Sequence, residues 1–160
     1  TADATTFLRG DNAWAEAGGG KLLQFVSIDL GVTSSSYGAV TWEDTYFTGT
    51  ITPTASDSKI LIYMNTIQGN NASAGTTIAK YRVVRTVSAS DTILSGDWPS
   101  DRHYYSYDPL VITLFDAPAT TSEITYMLQT QRTGSAGGGN TGYLNSTGSN
   151  QSLYFMEIGA

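Results

Sequence analysis

The chain has 160 residues, 40% of them apolar and only 14% charged, with a formal charge of −6 and no cysteine. That is enough apolar material for one packed core and too little charge for a disordered acidic tail, and the absent cysteines exclude disulfides and thiolate metal sites. The eight basic residues are scattered, with only Lys80, Arg82 and Arg85 close together, so no basic stripe can neutralise phosphates, and neither nucleic acid nor a membrane is an expected partner.

Residues 1–20 read as a connector. Isolated large apolar residues (Phe7, Leu8, Trp14) sit among turn residues, and Gly18-Gly19-Gly20 then breaks the chain. The domain proper is expected over 21–160. No run approaches the roughly 18 apolar residues of a membrane helix, and Thr1-Ala2-Asp3 has none of the character of a signal peptide.

The first convincing strand is expected over 21–30, with Leu22, Val26, Ile28 and Leu30 in phase, Gln24 the exception, and Leu23 and Phe25 opposite. A Ser-rich loop follows over 31–38. Val40 and Trp42 then alternate with Thr41 and Glu43, and a strand over 45–52 has Phe47 and Ile51 in phase and ends at Pro53. Residues 59–67 are the most apolar stretch. Ile60, Ile62 and Met64 face one way, Leu61, Tyr63 and Ile67 the other, as in a central strand. Residues 68–75 read as a loop. A strand over 77–87 presents Ala79, Tyr81, Val83, Arg85 and Val87 on one face, with Lys80 and Arg82 on a wet one. Residues 88–107 read as the longest irregular segment. Strands are expected over 109–116, 122–132 and 152–158, with Tyr143 and Leu144 a short strand inside the Gly/Asn-rich stretch 133–150.

About eight strands with polar turns and no helical period make this an all-β chain. Uneven spacing and two long loops favour an antiparallel, jelly-roll-like β-sandwich over an up-and-down barrel. No repeat of 20–50 residues suggests a propeller or solenoid.

Catalytic and metal constellations are weak. His103 stands two residues from Asp101, but no Gly-x-Ser-x-Gly places a nucleophile, and a lone histidine in a tyrosine-rich loop is ordinary. Asp91, Asp97, Asp101 and Asp108 share one loop region and could converge as a glycosidase pair; turn capping is the plainer use of such residues. With Asn70, Asn71 and Asn140 they could supply oxygens to calcium, yet no EF-hand pattern occurs. Arg9-Gly10-Asp11 reads as a turn rather than an adhesion signal, and the three Asn-x-Ser/Thr matches are what chance gives in so Asn/Ser/Thr-rich a chain. The chain is therefore not expected to be an enzyme, and no cofactor is expected. The preferred recognition segment is 97–108. Trp98, Asp101, Arg102, His103, Tyr104, Tyr105 and Tyr107 combine rigid aromatic rings that stack on sugars or receptor side chains with directional polar groups. Packing of Trp98 and some tyrosines beneath the loop is the competing use. The loops 68–76 and 133–150 are further candidates.

The phrase Thr6-Phe7-Leu8-Arg9-Gly10-Asp11-Asn12-Ala13-Trp14-Ala15 resembles one found in bacteriophage tail-fibre proteins just before a C-terminal tip domain, with Asn12-Ala13 where that family usually has Gly-Thr. The later Ile51-Thr52-Pro53-Thr54, Ser58 to Ile62 and Ser152 to Ile158 follow the same order, so the resemblance spans nearly the whole chain. It implies a homotrimer of jelly rolls similar to the tumour-necrosis-factor fold, mounted on a fibre shaft beside other virion proteins. It also implies an extracellular, virion location and recognition of a host cell-surface glycan or outer-membrane protein. Phe7, Leu8 and Trp14 are too apolar for an exposed tail. They are expected to be trimer contacts around a threefold axis, folding back on their own domain being the alternative. A structural virion role, as fibre-end cap or capsid decoration without receptor binding, and a polysaccharide hydrolase are the rival functions.

Overall fold

The computed structural model of the chain describes residues 6–8, 14–16, 20–31, 35–71, 77–96, 98–102, 107–133, 141–144 and 151–159. Its strands are β1 (Thr6–Leu8), β2 (Trp14–Glu16), β3 (Leu22–Ile28), β4 (Ser35–Tyr37), β5 (Glu43–Ile51), β6 (Lys59–Asn71), β7 (Thr77–Val87), β8 (Ser90–Ile93), β9 (Trp98–Arg102), β10 (Tyr107–Asp116), β11 (Ile124–Thr133), β12 (Thr141–Leu144) and β13 (Ser152–Ile158). No helix occurs among the described residues.

Two antiparallel sheets face each other. In the first, β6 is central: β10 runs along one edge, and β13 and β12 lie end to end along the other, continued by β3 and β4. In the second, β11 separates β5 from β7, and β8 and β9 lie end to end on the outer edge of β7. From β3 to β13 the passages from β4 to β5, β5 to β6, β6 to β7, β9 to β10, β10 to β11 and β11 to β12 cross from one sheet to the other, while those from β3 to β4, β7 to β8, β8 to β9 and β12 to β13 stay within a sheet. That is the double Greek key of a jelly roll, the fold class expected.

The core lies between the sheets. Phe47, Ile51, Tyr81, Val83, Ile124, Tyr126 and Leu128 from the second sheet meet Ile60, Ile62, Met64, Ile112, Leu153 and Phe155 from the first. Each comes from one phase of a period-2 pattern, and burying an aliphatic or aromatic side chain of this kind contributes roughly 1.5–3 kcal/mol. Gly49 lets the sheets approach closely. A Cβ there would stand 2.6 Å from Ile28 Cγ1 and 3.1 Å from the Phe155 ring.

Several boundaries differ from expectation. Residues 88–107, expected to be irregular, hold β8 and β9, because both pair with β7 although β8 buries none of its side chains. The strand from Lys59 runs on to Asn71, since Gln68–Asn71 pair with β12 and Gln68–Gly69 also with β10. Val40 and Trp42 precede β5 rather than forming a strand. Phe25, on the opposite face of the first expected strand, is 52% exposed. The connector holds β1 and β2, which pair only with each other.

Candidate functional site

The registers divide the sandwich into two unlike ends. At one end lie the connections between β5 and β6, β7 and β8, and β10 and β11. The strand ends there are Ile51, Lys59, Val87, Asp116 and Ile124, and the β7–β8 turn is only Ser88 and Ala89. The chain enters and leaves the domain at this same end, where Gly159 N donates to Lys21 O at 2.8 Å. At the other end stand Ile28, Asn71, Thr77, Arg102, Tyr107 and Thr133, the strand ends that bracket 29–42, 72–76, 103–106 and 134–151, of which 29–42 and 134–151 are the two longest connections between principal strands. We call these the base and the loop end.

The expected recognition segment falls at the loop end. Trp98, Asp101 and Arg102 are on β9, the loop-end half of the strand edging the second sheet. Tyr107 opens β10 in the first sheet, opposite Gly69. His103, Tyr104 and Tyr105 lie outside the described residues. Asp91 does not join this group. It sits at the base-side half of the same edge, where Thr86 Oγ1 donates to it at 2.6 Å. Asp101 and Asp108 are on strands at the loop end, and Asp97 lies outside the described residues. Among the described residues no three His, Asp or Glu side chains are grouped to hold a metal. Of the other expected contacts, Phe7 and Leu8 lie on β1 and Trp14 on β2, with Leu8 opposite Trp14.

The framework under the loop end is firmly bonded. Gln151 Nε2 donates to Gly31 O at 2.6 Å, while Gln151 Oε1 accepts from the Tyr46 hydroxyl at 2.8 Å. One side chain thus joins the connection after β3 to the one before β13, through a residue of β5. Burial, with the Tyr37 phenol beside it, raises the Tyr46 hydroxyl above the usual phenol range, so it remains a donor. Arg132 N donates to Ala39 O at 2.9 Å, Gln131 Nε2 to Val40 O at 2.6 Å, and Ala39 N to Glu43 Oε1 at 3.0 Å. These bonds tie Ala39 and Val40 to β11 and to Glu43 at the start of β5. Gln68 Oε1 is buried at this end with no hydrogen-bond partner in the structure among the described residues.

The base is held differently. Glu157 is fully buried, and its carboxylate accepts from Ser58 Oγ (2.6 Å), Thr54 N (2.7 Å), Thr54 Oγ1 (3.0 Å), Ala55 N (3.2 Å) and Gln24 Nε2 (2.7 Å). Burial acts to raise its pKa, but the hydrogen bonds from Ser58, Gln24 and Thr54 outweigh it and hold the carboxyl below its ordinary range. No sequence signal marks either arrangement, because Gln151 meets Tyr46 across 105 positions and Glu157 meets Ser58 across 99.

The arrangement can present a shaped surface on a rigid frame. No family model and no curated protein sequence matches the chain. Solved structures do match it. The viral particle of infectious bursal disease virus aligns with a TM-score of 0.50 at 9% identity, over 91% of this chain and 37% of that one. The VP2 subviral particle of the same virus aligns with a TM-score of 0.49 at 10% identity, over 91% and 39%. The Gt strain gives 0.48 at 10% identity, over 94% and 40%. The chain thus spans about two-fifths of the viral chains it matches, and at such low identity the likeness is one of fold.

Proposed function

We propose that this chain is a virion surface domain, and more narrowly the tip of a trimeric phage tail fibre that recognises the host surface. The observation that carries the reading is the polarity of the sandwich. The domain's first and last strands begin and end at the base, and the strand ends that bracket the two longest connections, 29–42 and 134–151, stand at the opposite end. A receptor-binding tip needs that arrangement, since binding loops mounted on a rigid scaffold must point away from the mount. The tail-fibre resemblance of residues 6–15 and the jelly-roll likeness to a viral particle agree with it.

In this reading Trp98, Asp101, Arg102, His103, Tyr104, Tyr105 and Tyr107 meet a host glycan or outer-membrane protein. Three modest sites on one trimer gain avidity without strong individual contacts. Phe7, Leu8 and Trp14 act as trimer contacts, which suits a two-stranded ribbon that is marginal by itself. The domain binds without catalysis.

The test is retention of the purified protein on outer-membrane preparations and purified lipopolysaccharide from candidate hosts. Specific retention is expected, lost on Trp98→Ala with Tyr104→Ala. A second reading, a structural virion protein without receptor binding, takes support from the fold likeness to a viral particle. It expects no retention on any host surface. Release of reducing ends from host polysaccharide would instead reveal a hydrolase.

A further inference from the structure

The outer face of the second sheet carries an ordered polar row. Leu128 and Thr130 are buried on either side of Gln129, and Tyr81 and Val83 on either side of Arg82, so the pleat sends Gln129 and Arg82 outward. Gln129 stands opposite Asp44 on β5 and Arg82 on β7. Asp44 Oδ1 accepts from Gln129 Nε2 at 2.7 Å, and Gln129 Oε1 accepts from Arg82 Nε at 2.7 Å. The Arg82 guanidinium lies 4.2 Å from the Trp42 ring centre, so Trp42, from the segment before β5, meets β7 across β11. That segment is itself tied to β11, where Arg132 N donates to Ala39 O and Gln131 Nε2 to Val40 O. Trp42 stays partly exposed and Asp44 exposed. Lys80 stands one row nearer the loop end, opposite Gln131.

Holding an arginine and a glutamine in one conformation at a surface costs rotamer entropy, and exposed polar pairs add little stability to offset it. The row therefore does little for the fold. What it supplies is preorganisation, which lowers the ordering cost of binding a ligand. A guanidinium, an amide and a carboxylate are fixed side by side next to an indole ring, so donors and acceptors alternate along one line. The row uses only the Nε–H of the guanidinium's five donors, and the exposed Asp44 carboxylate is open to solvent.

We propose that Trp42, Asp44, Arg82 and Gln129 form a binding site for a neutral hexopyranose unit of a glycan. The chemistry selects the ligand. A pyranose has an apolar C–H face, which suits stacking on an indole. Its neighbouring hydroxyls each donate and accept, which suits a carboxylate and a guanidinium set in one row. An anion drawn to Arg82 or Lys80 also meets the Asp44 carboxylate, so a neutral sugar is favoured over a phosphate or a sugar acid. The row holds one aromatic anchor and no aliphatic side chain, whereas a protein interface is built around an apolar centre. The site lies on the flank of the sandwich and uses none of residues 97–108. It needs no trimer, so it goes beyond the proposed function rather than resting on it.

Saturation-transfer NMR of the full chain with methyl glucoside, methyl galactoside and methyl mannoside in turn tests it. Transfer to at least one of the three is expected, strongest at the protons of its C–H face. Trp42→Ala and, separately, Asp44→Ala are each expected to weaken that binding about tenfold or more with an unchanged circular dichroism spectrum. Asp44 is exposed, so its variant keeps the test valid even where loss of the indole disturbs folding. Trp98→Ala with Tyr104→Ala is expected to leave the binding intact. No transfer to any of the three sugars overturns the proposal, and so does undiminished binding by both single variants. Loss confined to the Trp98 and Tyr104 variant overturns it as well, by placing the sugar at the loop end, and leaves the proposed function standing. Displacement of the sugar by an equal concentration of inorganic phosphate would show a site selected for anions, which also overturns it.

Discussion

The Arg85 guanidinium lies 2.8 Å from the Asp116 carboxylate, tying β7 of one sheet to the last residue of β10 in the other. Arg85 Nη1 donates to both carboxylate oxygens, and the fully buried Tyr126 hydroxyl donates to one of them at 2.8 Å. Burial, then the Asp116 carboxylate, keeps the Tyr126 phenol protonated well above its usual range. Removing Asp116 strands both the Arg85 guanidinium and the buried Tyr126 hydroxyl, whereas removing both charges strands the hydroxyl alone. Because Arg85 retains some exposure, Asp116→Ala is expected to destabilise by about 2–3 kcal/mol rather than the larger cost of a fully buried pair. Arg85→Met with Asp116→Leu should recover the part of that loss due to the stranded guanidinium, and not the part due to the Tyr126 hydroxyl. Urea unfolding of the three proteins measures the difference.

Glu157 makes the base sensitive to acid. Its carboxyl is held below the ordinary value of 4.5, so the folded state favours the ionised form. The resulting stability is fully present above the unfolded-state value and is lost as pH falls through the folded one. The urea midpoint should therefore owe no slope to Glu157 between pH 6 and 8 and should decline below about pH 4.5. Glu157→Gln should lower stability at pH 7 by about 1–3 kcal/mol, since an amide cannot accept all five bonds, and should flatten the acid limb. An unchanged acid limb in that variant would show that another group controls it.

The β7–β8 turn offers a gain. Ser88 and Ala89 have φ of 48° and 63°, the left-handed pair of a two-residue hairpin turn, without the Asn-Gly such turns favour. An alanine in that region carries about 1–2 kcal/mol of strain. Ala89→Gly should raise stability by about 0.5–1 kcal/mol after the entropy of the freer unfolded chain is deducted. Thermal melting checks it, and Ala119→Gly, at φ 54°, provides an independent second site.

The loop end carries the functional prediction. Trp98→Ala or Tyr104→Ala should each weaken binding to the host surface about tenfold or more while melting temperature and sedimentation stay unchanged, as expected for aromatic anchors at a recognition site. Equal adsorption by both variants would move the site to another connection at the same end.

What the sequence determined by itself was the alternation. Residues 59–67, 77–87, 124–128 and 152–158 announce their buried faces through a period of two, a local property set by the pleat. Two long polar connections and about eight such runs were enough to indicate a jelly roll. Ser90–Ile93 and Gln68–Asn71 gave no such signal. Exposed or polar strands owe their existence to the neighbours that pair with them rather than to their own composition. Only the tertiary structure decided which face of each sheet met the core and which was left bare. It alone carried Glu157 to Ser58, Arg85 to Asp116 and Gln151 to Tyr46. Those partners are separated by 31 to 105 positions, and chain closure over such distances is written in the packing of two whole sheets, not in any window of residues.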